Sequence, residues 1–256
     1  MAASGLPGLR RVEQIMGMPI VVDVRDDCGE ETLDELFDWF REVDARFSTY
    51  KDDSEISRLN RGELAVRECH PDVRAVLARC DELREKTGGF FDARYASLTT
   101  IDPSGLVKGW SVDRGGELLE REGIENYSIN AGGDIRMRGR PVPERAWRTG
   151  IQHPVLTDRV AAIVEANDLA LATSGTYVRG EHLVDPHSGR PPDGVLSITI
   201  AGDDLATADA YATAAFAMGE VGPAWAAARI APYQTFAILG DGTSLSTPGF
   251  PLAGPE

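Results

Sequence analysis

The chain predicts an α+β fold, a single sandwich in which a mixed, largely antiparallel sheet packs against helices. Two observations carry that expectation. Strand-like segments outnumber helical ones, and several follow one another across turns too short to hold a crossover helix, which disfavours a doubly wound parallel sheet. Of 256 residues, 42% are hydrophobic and 26% charged, enough to bury a real core. Residues 11–250 read as one domain, whereas residues 1–10 and the C-terminal end, rich in Gly, Pro and Ala, read as disordered.

Ile20-Val21-Val22-Asp23-Val24 is a β-branched run closed by Arg25-Asp26-Asp27 and predicts the first strand. Thr32-x-x-Glu35 has the form of a capping box. Leu33, Leu36, Phe37, Phe40, Val43 and Phe47 recur beside it at three- and four-residue steps, the stripe of a core-facing helix that Phe47-Ser48-Thr49-Tyr50 closes. Asp53-Ser54-Glu55 opens a further, well-capped helix. Pro71 starts another, whose Val73, Val76, Leu77, Cys80 and Leu83 share a face before the Gly88-Gly89 stop. A third long helix spans Lys108 to Glu122. Strands are expected at Tyr127–Asn130, Ile135–Arg138, Trp147–Ile151, Val160–Val164, Leu169–Thr173, His182–Val184, Ser197–Ala201 and Thr235–Leu239. Two helices, one around Asp209 and one over Pro223–Ile230, fall between the last two.

A formal net charge of −15 argues against nucleic-acid or anionic-membrane partners, whose phosphates such a surface repels. Three cysteines, Cys28, Cys69 and Cys80, are odd in number and lack CxxC spacing, so neither a disulfide framework nor a structural zinc site is expected. With neither an apolar leader core nor a membrane-length apolar run, the chain as given is expected to be cytoplasmic, or an exported form whose leader was trimmed. P-loop, Rossmann and nucleophile-elbow signatures are absent.

The residue that points to chemistry is Asp209, within Thr207-Ala208-Asp209-Ala210-Tyr211-Ala212-Thr213-Ala214-Ala215-Phe216, a helix with few other polar side chains. Burying an unpaired carboxylate is expensive, and a cation offsets that cost. Positions i and i+4 stack on one helical face, so Thr213 sets a hydroxyl beside the carboxylate and makes an all-oxygen corner suited to Mg²⁺ rather than zinc. A helix-start aspartate is also a common cap or dipole partner, a role Asp203, Asp204 and Thr207 can fill here.

Other segments carry two readings each. Asp102-Pro103-Ser104-Gly105-Leu106-Val107-Lys108 suits phosphate at a helix N-terminus, or is an N-capping turn with Lys108 as a solvated charge. Asn130-Ala131-Gly132-Gly133-Asp134 admits a ligand close to the backbone, or is a hairpin turn with glycines at positive φ. His182 in His182-Leu183-Val184-Asp185-Pro186-His187 is a candidate general base or a hydrogen-bonded structural histidine. A transition-metal site from His182, Asp185 and His187 lacks a fourth ligand.

Taken in order, nine segments resemble the ApbE-like FAD:protein FMN transferase family. They are Met16-Gly17; Phe47-Ser48-Thr49-Tyr50 with Ser54–Asn60; Gly88-Gly89-Phe90-Phe91-Asp92; Gly105-Leu106-Val107-Lys108-Gly109; Val112-Asp113-Arg114; Asn130–Asp134; Ala172-Thr173-Ser174-Gly175; His182–Pro186; and Ala208-Asp209-Ala210-x-Ala212-Thr213-Ala214. The resemblance implies an ApbE-like, T-fold-like architecture and enzymes that cleave FAD. Such enzymes transfer FMN through its phosphate to a Ser or Thr hydroxyl of an acceptor flavoprotein, releasing AMP with Mg²⁺. By the same resemblance Asp209 and Thr213 ligate Mg²⁺ through side chains and Gly105 through its carbonyl. Met16, Tyr50, Phe90, Phe91, Asp92, Asp102 and Val184 line the FAD site, and His182 is the base. The chain departs from the pattern at Met18-Pro19, where many relatives have Thr, and in a short stretch between Asp92 and Asp102. Rival expectations are an Mg²⁺-dependent FAD pyrophosphatase with water as acceptor, and a non-catalytic flavin carrier.

Overall fold

The computed structural model describes residues 8–94, 100–176 and 184–254. Its strands are β1 (Leu9–Ile15), β2 (Met18–Val24), β3 (Tyr127–Ala131), β4 (Asp134–Arg138), β5 (Trp147–Gln152), β6 (Val160–Ala166), β7 (Leu169–Gly175), β8 (Val195–Gly202), β9 (Gln234–Leu239) and β10 (Ser244–Ser246). The helices are α1 (Glu30–Phe47), α2 (Glu55–Asn60), α3 (Pro71–Lys86), α4 (Ser104–Arg121), α5 (Leu205–Ala217) and α6 (Gly222–Arg229). Eight strands form one sheet in the order β1-β2-β3-β4-β7-β8-β9-β10, and β5 pairs with β6 alone. Every pairing between these strands is antiparallel.

Strand alternation sorts the residues into three layers. On one face of the large sheet Ile20, Val22, Tyr127, Ile129, Ala170, Ala172, Ile198, Ile200 and Ala237 meet α1, α4, α5 and α6. On the other, Leu171, Phe236 and Ile238 pack against Ile151 and Val164 of the small hairpin and against Phe250. A second helical core joins α1, α3, α4 and α5 through Phe47, Val76, Leu83, Leu106 and Ala214. Helix α5 lies between these cores and is buried on nearly all sides, which accounts for its almost continuous apolar sequence.

Several expectations are corrected. The first strand precedes the expected one. Leu9 and Arg10 pair with Val24 and Asp23, so the tract expected to be disordered already enters the sheet at its end; the half-exposed, charge-bearing edge β1 has no apolar run to announce it. The other end is also packed, with Phe250 buried and the Ala253 N–H donating to the Ile163 carbonyl at 2.8 Å. Helix α1 begins at Glu30 after Gly29, so Thr32 lies inside the first turn, its N–H on the Gly29 carbonyl, and is not the cap. Helix α4 begins at Ser104, one turn earlier than the apolar periodicity implied. The strand expected at His182–Val184 falls mostly outside the described residues, and Val184 is not in a strand. Cys28, Cys69 and Cys80 are free thiols. No described helix is long and apolar enough to cross a membrane.

Candidate active site

Two helices make the site. α5 is capped by Asp204, whose carboxylate accepts the Thr207 N–H at 2.8 Å, and it is also held from outside by Asp113 of α4. Asp113 Oδ1 accepts the Leu205 N–H at 3.0 Å and Oδ2 accepts the Ala206 N–H at 2.9 Å. Arg136 Nη1 donates to the same Oδ1 at 2.7 Å. The Val112-Asp113-Arg114 segment thus fixes the N-terminus of α5 on α4 and sets the depth at which Asp209 enters the core.

Asp209 is only 4% exposed, and its Oδ2 has no hydrogen-bond partner among the described residues. Burial pushes the carboxyl above its ordinary range, Lys108 opposes that rise and Asp134 adds to it. Lys108 Nζ stands 3.6 Å from Asp209 Oδ1 and 2.5 Å from Asp134 Oδ2. Lys108 is therefore neither a solvated surface charge nor a free helix-start cation; it is an inward-facing partner of two buried carboxylates. It also answers in part the question raised by Asp209, since one cation beside this carboxylate belongs to the protein itself. Among the described residues Oδ2 remains without a hydrogen-bond partner, and a buried oxygen of this kind calls for one.

Asp134 comes from the β3–β4 hairpin. Gly132 (φ 60°) and Gly133 (φ 104°) make its turn, in agreement with the turn reading of that segment. Alternation then sends Ile135 and Met137 to the outer face and Asp134 and Arg136 toward α4, where they meet Lys108 and Asp113. The Thr173 N–H donates to Asp134 Oδ1 at 3.0 Å.

Gly105 completes the corner. A Cβ there would lie 3.3 Å from Phe91 Cε2 and 3.8 Å from Thr213 Oγ1, so the first turn of α4, the Phe91 ring and the Thr213 hydroxyl converge. The donor set suits a small hard cation: one carboxylate with an oxygen that has no hydrogen-bond partner among the described residues, one hydroxyl and nearby helix-start backbone. Asp102 precedes it, with Oδ1 accepting the Ser104 N–H at 3.0 Å and its own N–H on the Ala93 carbonyl at 2.7 Å. Asn60 braces this segment by bonding both the N–H and the carbonyl of Ile101, at 2.8 and 2.9 Å.

The remaining candidates lie around this corner or outside it. Met16, at φ 55° in the β1–β2 turn with Gly17, packs at the junction of the two cores; the left-handed backbone costs a non-glycine residue about 1–2 kcal/mol. Phe91 is buried, and Phe90 meets the His187 ring edge-on at 4.5 Å, while His187 Nε2 contacts the Gly88 carbonyl at 3.1 Å. Asp92 is engaged by Arg84 Nε at 2.8 Å and by the Arg94 N–H. Tyr50 is 96% exposed, so it does not seal the end of α1. Val184 is half-buried beside the Asp185 turn, and His182 lies outside the described residues. Sequence reasoning missed Asp134 as Lys108's partner; the only signal was a carboxylate at the end of a turn otherwise explained by its glycines.

Fold and site together define an α+β protein with a sheet on one side, helices on the other and an oxygen-lined corner between the first turn of α4 and the middle of α5. The chain belongs to the ApbE family, whose model it matches over residues 16–101 and 97–236. It is 27% identical to the FAD:protein FMN transferase of Haemophilus influenzae over 80% of this chain and 79% of that protein. To the one from Vibrio cholerae it is 40% identical over 47% of this chain, and the match covers only 39% of that relative's length. Among solved structures, the flavin transferase ApbE of Vibrio cholerae superposes with a TM-score of 0.82 at 27% identity, covering 94% of this chain and 97% of that one. The ApbE protein of Thermotoga maritima gives 0.83 at 20% identity over 94% and 97%, a likeness of fold.

Proposed function

We propose that this chain is an Mg²⁺-dependent FAD:protein FMN transferase, which attaches FMN by a phosphoester bond to a Ser or Thr of an acceptor flavoprotein and releases AMP. The observation that carries the reading is the buried Asp209 carboxylate, whose Oδ2 has no hydrogen-bond partner among the described residues, on the same helix face as Thr213, whose hydroxyl lies near Gly105. The names of the relatives supply the flavin chemistry.

Asp209, Thr213 and the Gly105 carbonyl would hold Mg²⁺. When bound, the ion neutralises charge on the FAD diphosphate, which a chain of net charge −15 otherwise repels. Met16, Tyr50, Phe90, Phe91, Asp92, Asp102 and Val184 line the flavin nucleotide and fix its orientation. His182 accepts the proton of the acceptor hydroxyl as its oxygen attacks the FMN phosphorus. The bond from that phosphorus to the AMP oxygen breaks, and AMP leaves with the electron pair. Positioning and charge stabilisation supply most of the rate.

The test is to incubate the protein with FAD, Mg²⁺ and a candidate acceptor and to measure intact masses. An acceptor heavier by one FMN less one water supports the transferase. Free FMN and AMP without an adduct would make it a pyrophosphatase, and intact FAD throughout a carrier.

A further inference from the structure

We infer that Asp134 is a positioning residue for cation binding: it holds the Lys108 ammonium aside so that Asp209 stays open to a divalent ion. The inference rests on the reading of Asp209 as a cation ligand. Asp134 is 2% exposed and its Oδ1 is occupied by the Thr173 N–H, which turns Oδ2 toward Lys108 Nζ at 2.5 Å. Oδ2 has no hydrogen-bond partner among the described residues beyond that ion pair. Asp209 Oδ1 stands farther from the same ammonium, at 3.6 Å, and Asp209 Oδ2 has no hydrogen-bond partner among the described residues. One lysine thus lies between two buried carboxylates and closer to the one that the proposed site does not use.

The asymmetry matters because an ammonium is a compact point charge that rotates toward whichever carboxylate remains. Without the Asp134 charge, Lys108 would settle on Asp209 and neutralise it, and an incoming dication would meet a like charge in place of an open oxygen. Asp134 therefore supports cation affinity without touching the cation. A simple electrostatic field from Asp134 would act whether or not Lys108 were present, so the two explanations separate in a double-mutant cycle.

Binding of Mn²⁺ to the metal-stripped full chain, read by loss of the free-ion EPR signal, tests this. Asp134→Asn should weaken Mn²⁺ about tenfold, the scale on which groups behind metal ligands act. In a Lys108→Met background the same substitution should change affinity little, and Asp134→Glu should restore most of it in the Lys108 chain. Asp134→Ser, equally uncharged, gives the same comparison should the asparagine variant not fold. Wild-type affinity in Asp134→Asn, or an equal loss with and without Lys108, overturns the inference while leaving the cation site intact. Equal Mn²⁺ binding by wild type and Asp209→Asn instead overturns the cation site, and the inference falls with it.

Discussion

Gly109 and Leu205 bring α4 and α5 into backbone contact: a Cβ on Gly109 would stand 2.5 Å from the Leu205 carbonyl oxygen and 2.8 Å from Ala206 Cα. Backbone cannot rotate out of the way as a side chain can. Gly109→Ala should therefore destabilise the fold by about 1–3 kcal/mol, the usual range for overpacking, read as a lower urea midpoint. Because Lys108 and Asp209 lie on these two helices, the variant should also bind divalent cation more weakly. An unchanged midpoint would mean that the helices are not packed this closely.

Asp113 offers a second handle on the same pair of helices. Asp113→Ala removes the acceptor of the Leu205 and Ala206 N–H groups and the partner of Arg136, and should cost about 1–3 kcal/mol. Asp113→Asn keeps an acceptor oxygen and should cost less. Equal stability of the alanine variant and wild type in denaturant melts would contradict the capping role.

The titration of Asp26 gives the chain one predictable acid limb. Burial opposes its ionisation, but hydrogen bonds from the Asn126 side chain and the N–H groups of Asn126 and Glu125 outweigh it and hold the carboxyl below its usual range. A depressed folded value means that its contribution is present above the ordinary carboxylate pKa and is lost as pH falls through the folded one. Asp26→Asn should thus be less stable than wild type at neutral pH, with the gap narrowing in acid. A gap independent of pH would assign the effect to packing.

The strands and helices that read clearly in the sequence are those with one buried face. Val22 and Ile20 in β2 and Leu33, Leu36 and Phe40 in α1 announce their periods because burial is one-sided. Strands β1 and β10 did not, since edge strands need few apolar residues, and Ser244–Ser246 is exposed throughout. Asp209 and Thr213 were visible as neighbours because helical spacing is local. The pairing of Lys108 with Asp134 was not, since it depends on which face of β4 meets α4 and is set by the register of β3 on β4. The early start of α4 was hidden because Ser104 and Gly105 carry no apolar signal.

Tyr50 separates binding from folding. With its side chain 96% exposed, Tyr50→Ala should change stability by no more than about 0.5 kcal/mol, as surface substitutions usually do. If its ring covers a flat ligand, FAD affinity should fall by about 0.5–1.5 kcal/mol, roughly two- to tenfold, measurable by flavin fluorescence. Unaltered FAD affinity would remove Tyr50 from the binding surface.

The most direct measurement is AMP release from FAD, with an acceptor protein present, as Mg²⁺ is titrated into wild type and into Asp209→Asn. The substitution keeps the volume of the side chain and removes the charge that the proposed ion needs. Wild type should release AMP in a saturable, Mg²⁺-dependent manner, and the variant should lose at least about a hundredfold of that rate, the scale of a lost electrostatic stabiliser. Equal, Mg²⁺-dependent release by both proteins would contradict the assignment of the buried carboxylate at its root.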